Sequence, residues 1–207
     1  MSPAQHTHDW QARYRAGDTP WEDDAVAPCV VDLVGAHVPV GARVLEVGCG
    51  SGTTALWLAQ RGNAVVACDV AAEAIRIAEQ RAAAAGLAVS CRVLDVLHEA
   101  VDGSPYDVVL SRGVLHTFTA HAGRVAFAQA IARSLAPNGL WLDVTGSADT
   151  VDPPGARARL GLPRLSLAEL AMAVEPHFAV ESVQRCTYGT TPGRTDFLAW
   201  ASVLRRR

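Results

Sequence analysis

Between Arg43 and Thr53 the chain reads RVLEVGCGSGT, an apolar run that breaks into alternating glycines and then into a helical pattern. Glycines at this point let a backbone approach a ligand closely, with the amide end of a helix behind it. The dinucleotide fingerprint G-x-G-x-x-G would need a third glycine where this chain has Thr53. The pattern present is E-x-G-x-G-x-G: Glu46, Gly48, Gly50 and Gly52, with Cys49 between the first two glycines. A carboxylate two residues before the first glycine suits a positively charged amino group better than a pyrophosphate. A plain strand-to-helix turn with a surface glutamate is the simpler alternative.

Two further acids bear on that choice. Asp69, followed by Val70, ends the second apolar run, where an acidic side chain can bond both hydroxyls of a ribose. Asp95, beside Val96, ends the third run and suits an adenine edge. Either alone could be an ordinary strand-end or capping aspartate. Acids at the carboxyl ends of three successive strands line one crevice, where open α/β sheets bind ligands. The ligand they imply has an amino acid portion, a free ribose and an adenine, and no phosphate.

The elements that must position these residues follow from hydrophobic rhythm. ARVLEVG, AVVACDV, AVSCRVLDV, YDVVLSRG and LWLDVTG read as strands. GTTALWLAQRG, AAEAIRIAEQRAAAAG and AGRVAFAQAIARSL read as helices, stopped by Gly62, Gly86 and Pro137-Asn138-Gly139. CVVDLVGAHV is a further helix ahead of the first strand. Such alternation predicts parallel strands joined by crossover helices. After residue 146 comes a Pro-, Gly- and Arg-rich excursion to residue 165. A capping box at Ser166 and Glu169 then opens a short helix. FAVESVQRCTYG and TDFLAWASVL, joined by TTPGR, read as a terminal antiparallel hairpin. The expectation is one α/β domain over 1–207 with a seven-stranded, mostly parallel sheet.

Composition narrows the partners. The 207 residues are 50% hydrophobic and 19% charged, with a net charge of −3, which gives no electrostatic reason to expect nucleic acid. All the basic residues are Arg; Lys is absent. No uncharged run approaches a membrane span, and no apolar signal region opens the chain. Five cysteines without a C-x-x-C pair suggest free thiols in a reducing cytosol, so a cytoplasmic protein is expected. No cluster has metal-ligand spacing; His6 and His8 lie near the terminus and the other histidines are scattered.

The whole constellation resembles the class I S-adenosylmethionine-dependent methyltransferases, whose fold is Rossmann-like. The resemblance implies that Glu46 and the glycines hold the methionine moiety, Asp69 the ribose and Asp95 the adenine amino group. It also implies that the carbonyl of Ser111, taken as the end of the fourth strand, contacts the donor's amino group. S-adenosylhomocysteine would be the product. The N-terminal pattern W-x-x-x-Y-x-x-G-x-T-P-W (Trp10, Tyr14, Trp21) and the stretch SRGVLHTF resemble the thiopurine, thiol and tellurite-type methyltransferases. In the thiopurine S-methyltransferase group an Arg-Gly pair follows the fourth strand, and its Arg lies beside the acceptor, which here implies Arg112. That group usually has an acid before this Arg; here Ser111 replaces it.

Methyl transfer from a sulfonium is an in-line displacement in which the protein supplies alignment and water exclusion. A thiolate needs little or no general base, and a nearby cation raises its fraction. The favoured acceptor is therefore a small apolar or aromatic thiol, with Arg112 orienting it. For a hydroxyl or amine acceptor, His116 is the candidate base; His121 reads as a surface residue at the next helix start. Residues 1–27, with Trp10, Tyr14 and Trp21, read as a structural clasp or as a lid to which Arg13 or Arg15 lends charge. The excursion at 147–165, with Arg157, Arg159 and Arg164, is expected to wall the acceptor site. Phe118 is expected to line it, and Trp141 to sit in the core.

Overall fold

Strands buried on both faces need apolar side chains on both, and β1 (Arg43–Val47), β2 (Ala64–Asp69) and β4 (Tyr106–Arg112) are built that way. In the computed structural model, which describes residues 9–149, 164–189 and 197–207, they form the centre of a seven-stranded sheet. The remaining strands are β3 (Val89–Val93), β5 (Leu135–Gly146), β6 (Phe178–Thr187) and β7 (Leu198–Arg206). Their order is β3-β2-β1-β4-β5-β7-β6. All pairings are parallel except those of β7 with β5 and β6, so the chain ends in the expected antiparallel pair. The TTPGR turn between those strands lies outside the described residues.

The helices are α1 (Trp10–Ala16), α2 (Pro28–His37), α3 (Thr53–Gln60), α4 (Ala72–Ala84), α5 (His121–Ser134) and α6 (Leu167–Val174). One face of the sheet, with Leu45, Val109, Trp141 and Leu204, packs on Phe127 and Ile131 of α5 and Leu170 of α6. The other face, with Val44, Leu110, Leu142 and Ala201, packs on Val30 and Val34 of α2, Leu58 of α3 and Ala78 of α4. Ser166 and Glu169 form the predicted capping box at α6. The order of strands reverses between β1 and β4, and the crevice outside the carboxyl ends of those strands is the place for a ligand.

Three boundaries differ from the sequence reading. β3 stops at Val93, so Asp95 lies in the following turn. β4 runs one residue beyond Ser111, and Arg112 pairs in register with Val144 of β5. β5 begins ahead of the Pro137-Asn138-Gly139 turn, which a register shift between Tyr106 and Val108 absorbs. Asn138 takes a left-handed φ of 61° there, a conformation its short polar side chain tolerates.

The wholly buried Asp143 on β5 accepts from Ser111 Oγ (2.6 Å), which in turn accepts from Trp141 Nε1 (2.9 Å). Its second oxygen and the Ser202 hydroxyl, in register beside it, have no partner. Burial raises the Asp143 pKa to about 7, against a smaller lowering by the Ser111 bond. A carboxyl raised in this way stabilises the fold fully below its unfolded pKa, and that stability is lost as pH rises from about 4 through about 7. Asp143→Asn keeps the shape and removes the charge. It should flatten the pH dependence of Tm over that range and raise Tm at pH 8; an unchanged pH slope would show that Asp143 titrates normally.

Candidate functional site

Each glycine of the turn between β1 and α3 has positive φ: 71° at Gly48, 55° at Gly50 and 85° at Gly52. All three are also pressed by neighbours, Gly52 by Leu56 Cδ1 at 2.9 Å from its Cβ position. A Cβ on Gly48 would lie 2.3 Å from Val114 Cγ2, and one on Gly50 would lie 2.3 Å from Glu22 Oε1 and 2.6 Å from the Tyr14 hydroxyl. The Gly48 and Cys49 amides donate to Cys68 O of β2 (2.8 and 3.0 Å), which locks the turn to the sheet. Asp69 completes this. Its oxygens accept from Gly50 N (3.0 Å) and Ala71 N (2.9 Å), so it fixes the turn and the entry to α4 together. Arg81 of α4 donates to Ser51 O (3.0 Å) and Thr53 Oγ1 (3.0 Å) from behind.

Glu46 is buried beneath the turn, 3% exposed. Thr54 and the Ala55 backbone, in the first turn of α3, favour its charged form, while its Oε2 has no partner. Burial, and then the Glu22 carboxylate, raises its pKa to about 8. Burial and Glu22 also raise Asp69, against the Ala71 and Gly50 amides. An orphaned buried carboxylate oxygen, beside two further acids and over a glycine cradle, fits a ligand that brings positive charge. An anionic pyrophosphate would add to the repulsion already present.

The N-terminal segment lies across this cradle. Asp9 caps α1, accepting from Ala12 N (2.9 Å), and Gly17 ends it in a left-handed conformation. Trp10, Tyr14 and Trp21 pack edge to face and rest on Ala71, Ala74 and Ile77 at the start of α4. Trp21 Nε1 donates to the Tyr14 hydroxyl (3.0 Å), the Tyr14 hydroxyl donates to Glu22, and Ser51 N donates to Glu22 Oε1 (3.1 Å). These aromatics therefore close over the glycine turn, on the cofactor side of the crevice, as a clasp or lid would. Arg13 is engaged within the segment itself. It bonds Asp18 (3.0 Å) and lies over the Trp21 ring, 4.4 Å from its centroid.

Across the crevice, Arg112 pairs with Asp23 (2.6 Å), donates to Tyr188 O (3.0 Å) and stacks on the Tyr188 ring, 4.6 Å from its centroid. Its Nε is buried without a partner. Gly113 (φ 80°) gives way to the Tyr188 hydroxyl, 2.1 Å from where a Cβ would stand. His116 does not stand at the mouth of the site. It is buried in a single 3-10 turn, Leu115–Thr117, with Nδ1 accepting from Gly146 N (2.9 Å) and 3.1 Å from Thr145 Oγ1. Burial, then Arg112 and Arg164, lowers its pKa to about 4. The Gly146 bond leaves the ring proton on Nε2, so that nitrogen donates where a general base would have to accept.

Among the other expected site residues, Asp95 accepts from Leu97 N (3.0 Å) and pairs with His98 (2.8 Å), with the buried Val96 beside it. Val70 is exposed at the turn after β2. Ser111 has its side chain in the core network. Phe118 is 2% exposed, its ring 5.3 Å from that of Phe127, and belongs to the core with Trp141. Arg164 lies over the Phe197 ring, 4.7 Å from its centroid; Arg157, Arg159, His6 and His8 lie outside the described residues. Among the described residues no group of His, Cys, Asp and Glu could hold a metal, and no helix is long and apolar enough to cross a membrane. Sequence reasoning missed Glu22, Asp23, Arg81 and Tyr188. The acidic run directly after Trp21 was the available signal for the first two; nothing local marks the others.

Residues 44–139 match the family described as a methyltransferase domain. Over 119 residues the chain is 34% identical to the ubiquinone biosynthesis O-methyltransferase of Xylella fastidiosa, covering 56% of this chain and 46% of that one. The chain spans about half the length of the curated relatives it matches. Among solved structures, one concerns the conversion of a disulfide bond into a thioacetal group during echinomycin biosynthesis. It is 27% identical with a TM-score of 0.80, over 95% of this chain and 90% of that one. Another is the Burkholderia thailandensis 1,6-didemethyltoxoflavin-N1-methyltransferase, bound to its substrate and S-adenosylhomocysteine: 22% identity and TM-score 0.73 over 96% and 85%. By strand order, glycine turn and matched domain, the chain has the fold of the class I S-adenosylmethionine-dependent methyltransferases, and S-adenosylmethionine is the cofactor of that fold.

Proposed function

We propose that the protein transfers a methyl group from S-adenosylmethionine to a sulfur atom of a small apolar or aromatic acceptor, a thiol reacting as its thiolate. The observation that carries this reading is the filled Nδ1 of a neutral His116 beside the Arg112–Tyr188 pair. Among the described residues the crevice offers a guanidinium to an anionic nucleophile and no imidazole base to a neutral one. The 27% identical protein associated with chemistry at a disulfide points the same way. When bound, the cofactor supplies an activated sulfonium methyl group. Glu46 takes its ammonium, Asp69 its ribose hydroxyls and Asp95 its adenine amino group, with Val70 and Val96 beside the base. Arg112 holds the thiolate in line, and the N-terminal segment excludes water.

The test is turnover on acceptors matched as thiol, hydroxyl and amine, read as demethylated cofactor. Turnover confined to thiols supports the sulfur reading. Turnover on the hydroxyl or amine analogues overturns it in favour of O- or N-methylation, as in the relatives named for those reactions.

The Glu46 role has a separate readout. Near pH 7 a carboxyl with a pKa of about 8 is mostly protonated, and an incoming ammonium draws that proton off. Calorimetry in two buffers of different ionisation heat should show up to one proton released per cofactor bound. Glu46→Gln should abolish the release and weaken binding by about 1–3 kcal/mol; equal release from both proteins would remove Glu46 from the cofactor site.

A further inference from the structure

We propose that Glu22 is a specificity-determining residue that reads the charge on the cofactor's sulfur, favouring the sulfonium of S-adenosylmethionine over the neutral thioether of S-adenosylhomocysteine. Three carboxyl groups meet at the glycine turn. Glu46 lies buried beneath it with one oxygen unpaired. Asp69 accepts from Gly50 N (3.0 Å), and Glu22 Oε1 stands 2.3 Å from the place a Cβ on Gly50 would take. The next acid along the chain, Asp23, is paired with Arg112 (2.6 Å). Glu22 is held differently. Its hydrogen bonds come from the Ser51 amide (3.1 Å), the Ser51 hydroxyl and the Tyr14 hydroxyl, all neutral donors. Arg81 reaches the same Ser51 hydroxyl (2.7 Å) from α4.

The inference rests on the cofactor placement proposed above. The ammonium given to Glu46 and the ribose given to Asp69 are common to cofactor and product, so neither acid tells the two apart. In the covalent structure of the cofactor, the sulfur joins those two parts. Glu22 acts electrostatically on both Glu46 and Asp69, which puts it beside the stretch of crevice that the sulfur must occupy. A carboxylate whose hydrogen bonds come from neutral groups keeps its negative charge to offer, and half-burial strengthens its pull on a nearby cation. Transfer of the methyl group turns the sulfonium into a thioether and withdraws that attraction. Glu22 belongs to the N-terminal segment, so the loss falls on the contact that closes the segment over the turn. The product is thereby released more readily than the cofactor.

The test is calorimetry on the full-length protein with S-adenosylmethionine, S-adenosylhomocysteine and sinefungin, which has an ammonium-bearing carbon in place of the methylated sulfur. Glu22→Gln should lower the affinity for S-adenosylmethionine relative to S-adenosylhomocysteine by about 10-fold, the scale of one charge pair that keeps some solvent. Sinefungin should lose the same preference. Glu22→Asp, which keeps the charge, should retain most of it. Gln11→Ala removes the acceptor of the Glu73 amide (3.0 Å) that ties α1 to α4. It should weaken cofactor and product alike, as a purely structural latch would. A ratio unchanged in Glu22→Gln, or one lost for S-adenosylmethionine and kept for sinefungin, overturns the proposal. Wild-type protein that binds none of the three ligands removes the cofactor reading, and the role of Glu22 with it. No acceptor is present, so the result does not depend on whether sulfur, oxygen or nitrogen is methylated.

Discussion

Replacing Gly50 with alanine is expected to weaken cofactor binding at least about 100-fold, equivalent to roughly 2.7 kcal/mol. Two costs add. The left-handed φ of 55° is strained for any residue with a Cβ, by about 1–2 kcal/mol. The added methyl would also stand 2.3 Å from Glu22 Oε1 and 2.6 Å from the Tyr14 hydroxyl. Relief requires the Glu22 carboxylate and the Tyr14 hydroxyl to move, which breaks the Glu22 bond to Ser51 N and loosens the N-terminal segment over the cradle. Gly86→Ala isolates the first cost, because Gly86 has a φ of 65° and nothing within 4 Å of its Cβ position. That variant should lose some stability and keep its cofactor affinity. Calorimetry gives the affinities, and tryptic cleavage at Arg13 and Arg15 reads the loosened segment. Full affinity and full protection in Gly50→Ala would show that the segment does not rest on the turn.

The second large effect is expected at Arg112. Arg112→Ala leaves the Asp23 carboxylate without its cation in a place where the two side chains are only 17% and 19% exposed. Breaking a fully buried pair costs about 3–5 kcal/mol, and residual solvent at this one brings the expectation to roughly 2–3 kcal/mol of stability. Turnover with a thiol should fall by roughly 100-fold beyond any loss of folded protein, the scale of removing one preorganised donor to a reacting anion. A cycle with Asp23→Asn separates the two contributions. Stability losses should be strongly less than additive, since each substitution removes the same pair. The turnover loss should follow Arg112 alone. Turnover lost equally in Asp23→Asn would make Arg112 an anchor for the N-terminal segment and remove it from the acceptor.

The glycine turn, Asp69 and the strand order were legible because each is local. A strand, a three-glycine turn and an acid at the next strand end follow from spacing along the chain, and parallel pairing then brings them together. The partners of these residues were not legible, because they arrive from far away. Ser51 meets Glu22 across 29 positions, Arg112 meets Tyr188 across 76 and Asp23 across 89. Two residues were left open for another reason. His116 and Phe118 stand in the right stretch, but spacing does not say which way a side chain turns after a strand ends. One fills its Nδ1 lone pair with a backbone amide, and the other packs on α5. Trp10, Tyr14 and Trp21 are legible as a unit that clasps the domain or covers the site, but nothing in the spacing reveals Ala71 and Ala74 as the surface they need.

Glu22 and Asp23 are consecutive, yet one bonds the glycine turn and the other pairs with the end of β4. A surface loop commonly accepts an extra residue at little cost. Here a single residue inserted between Trp21 and Glu22 would carry both acids out of register with Ser51 and Arg112 at once. The length of this short stretch is thus under tighter constraint than its composition, and drift in related chains should show as substitution within it far more than as insertion or deletion.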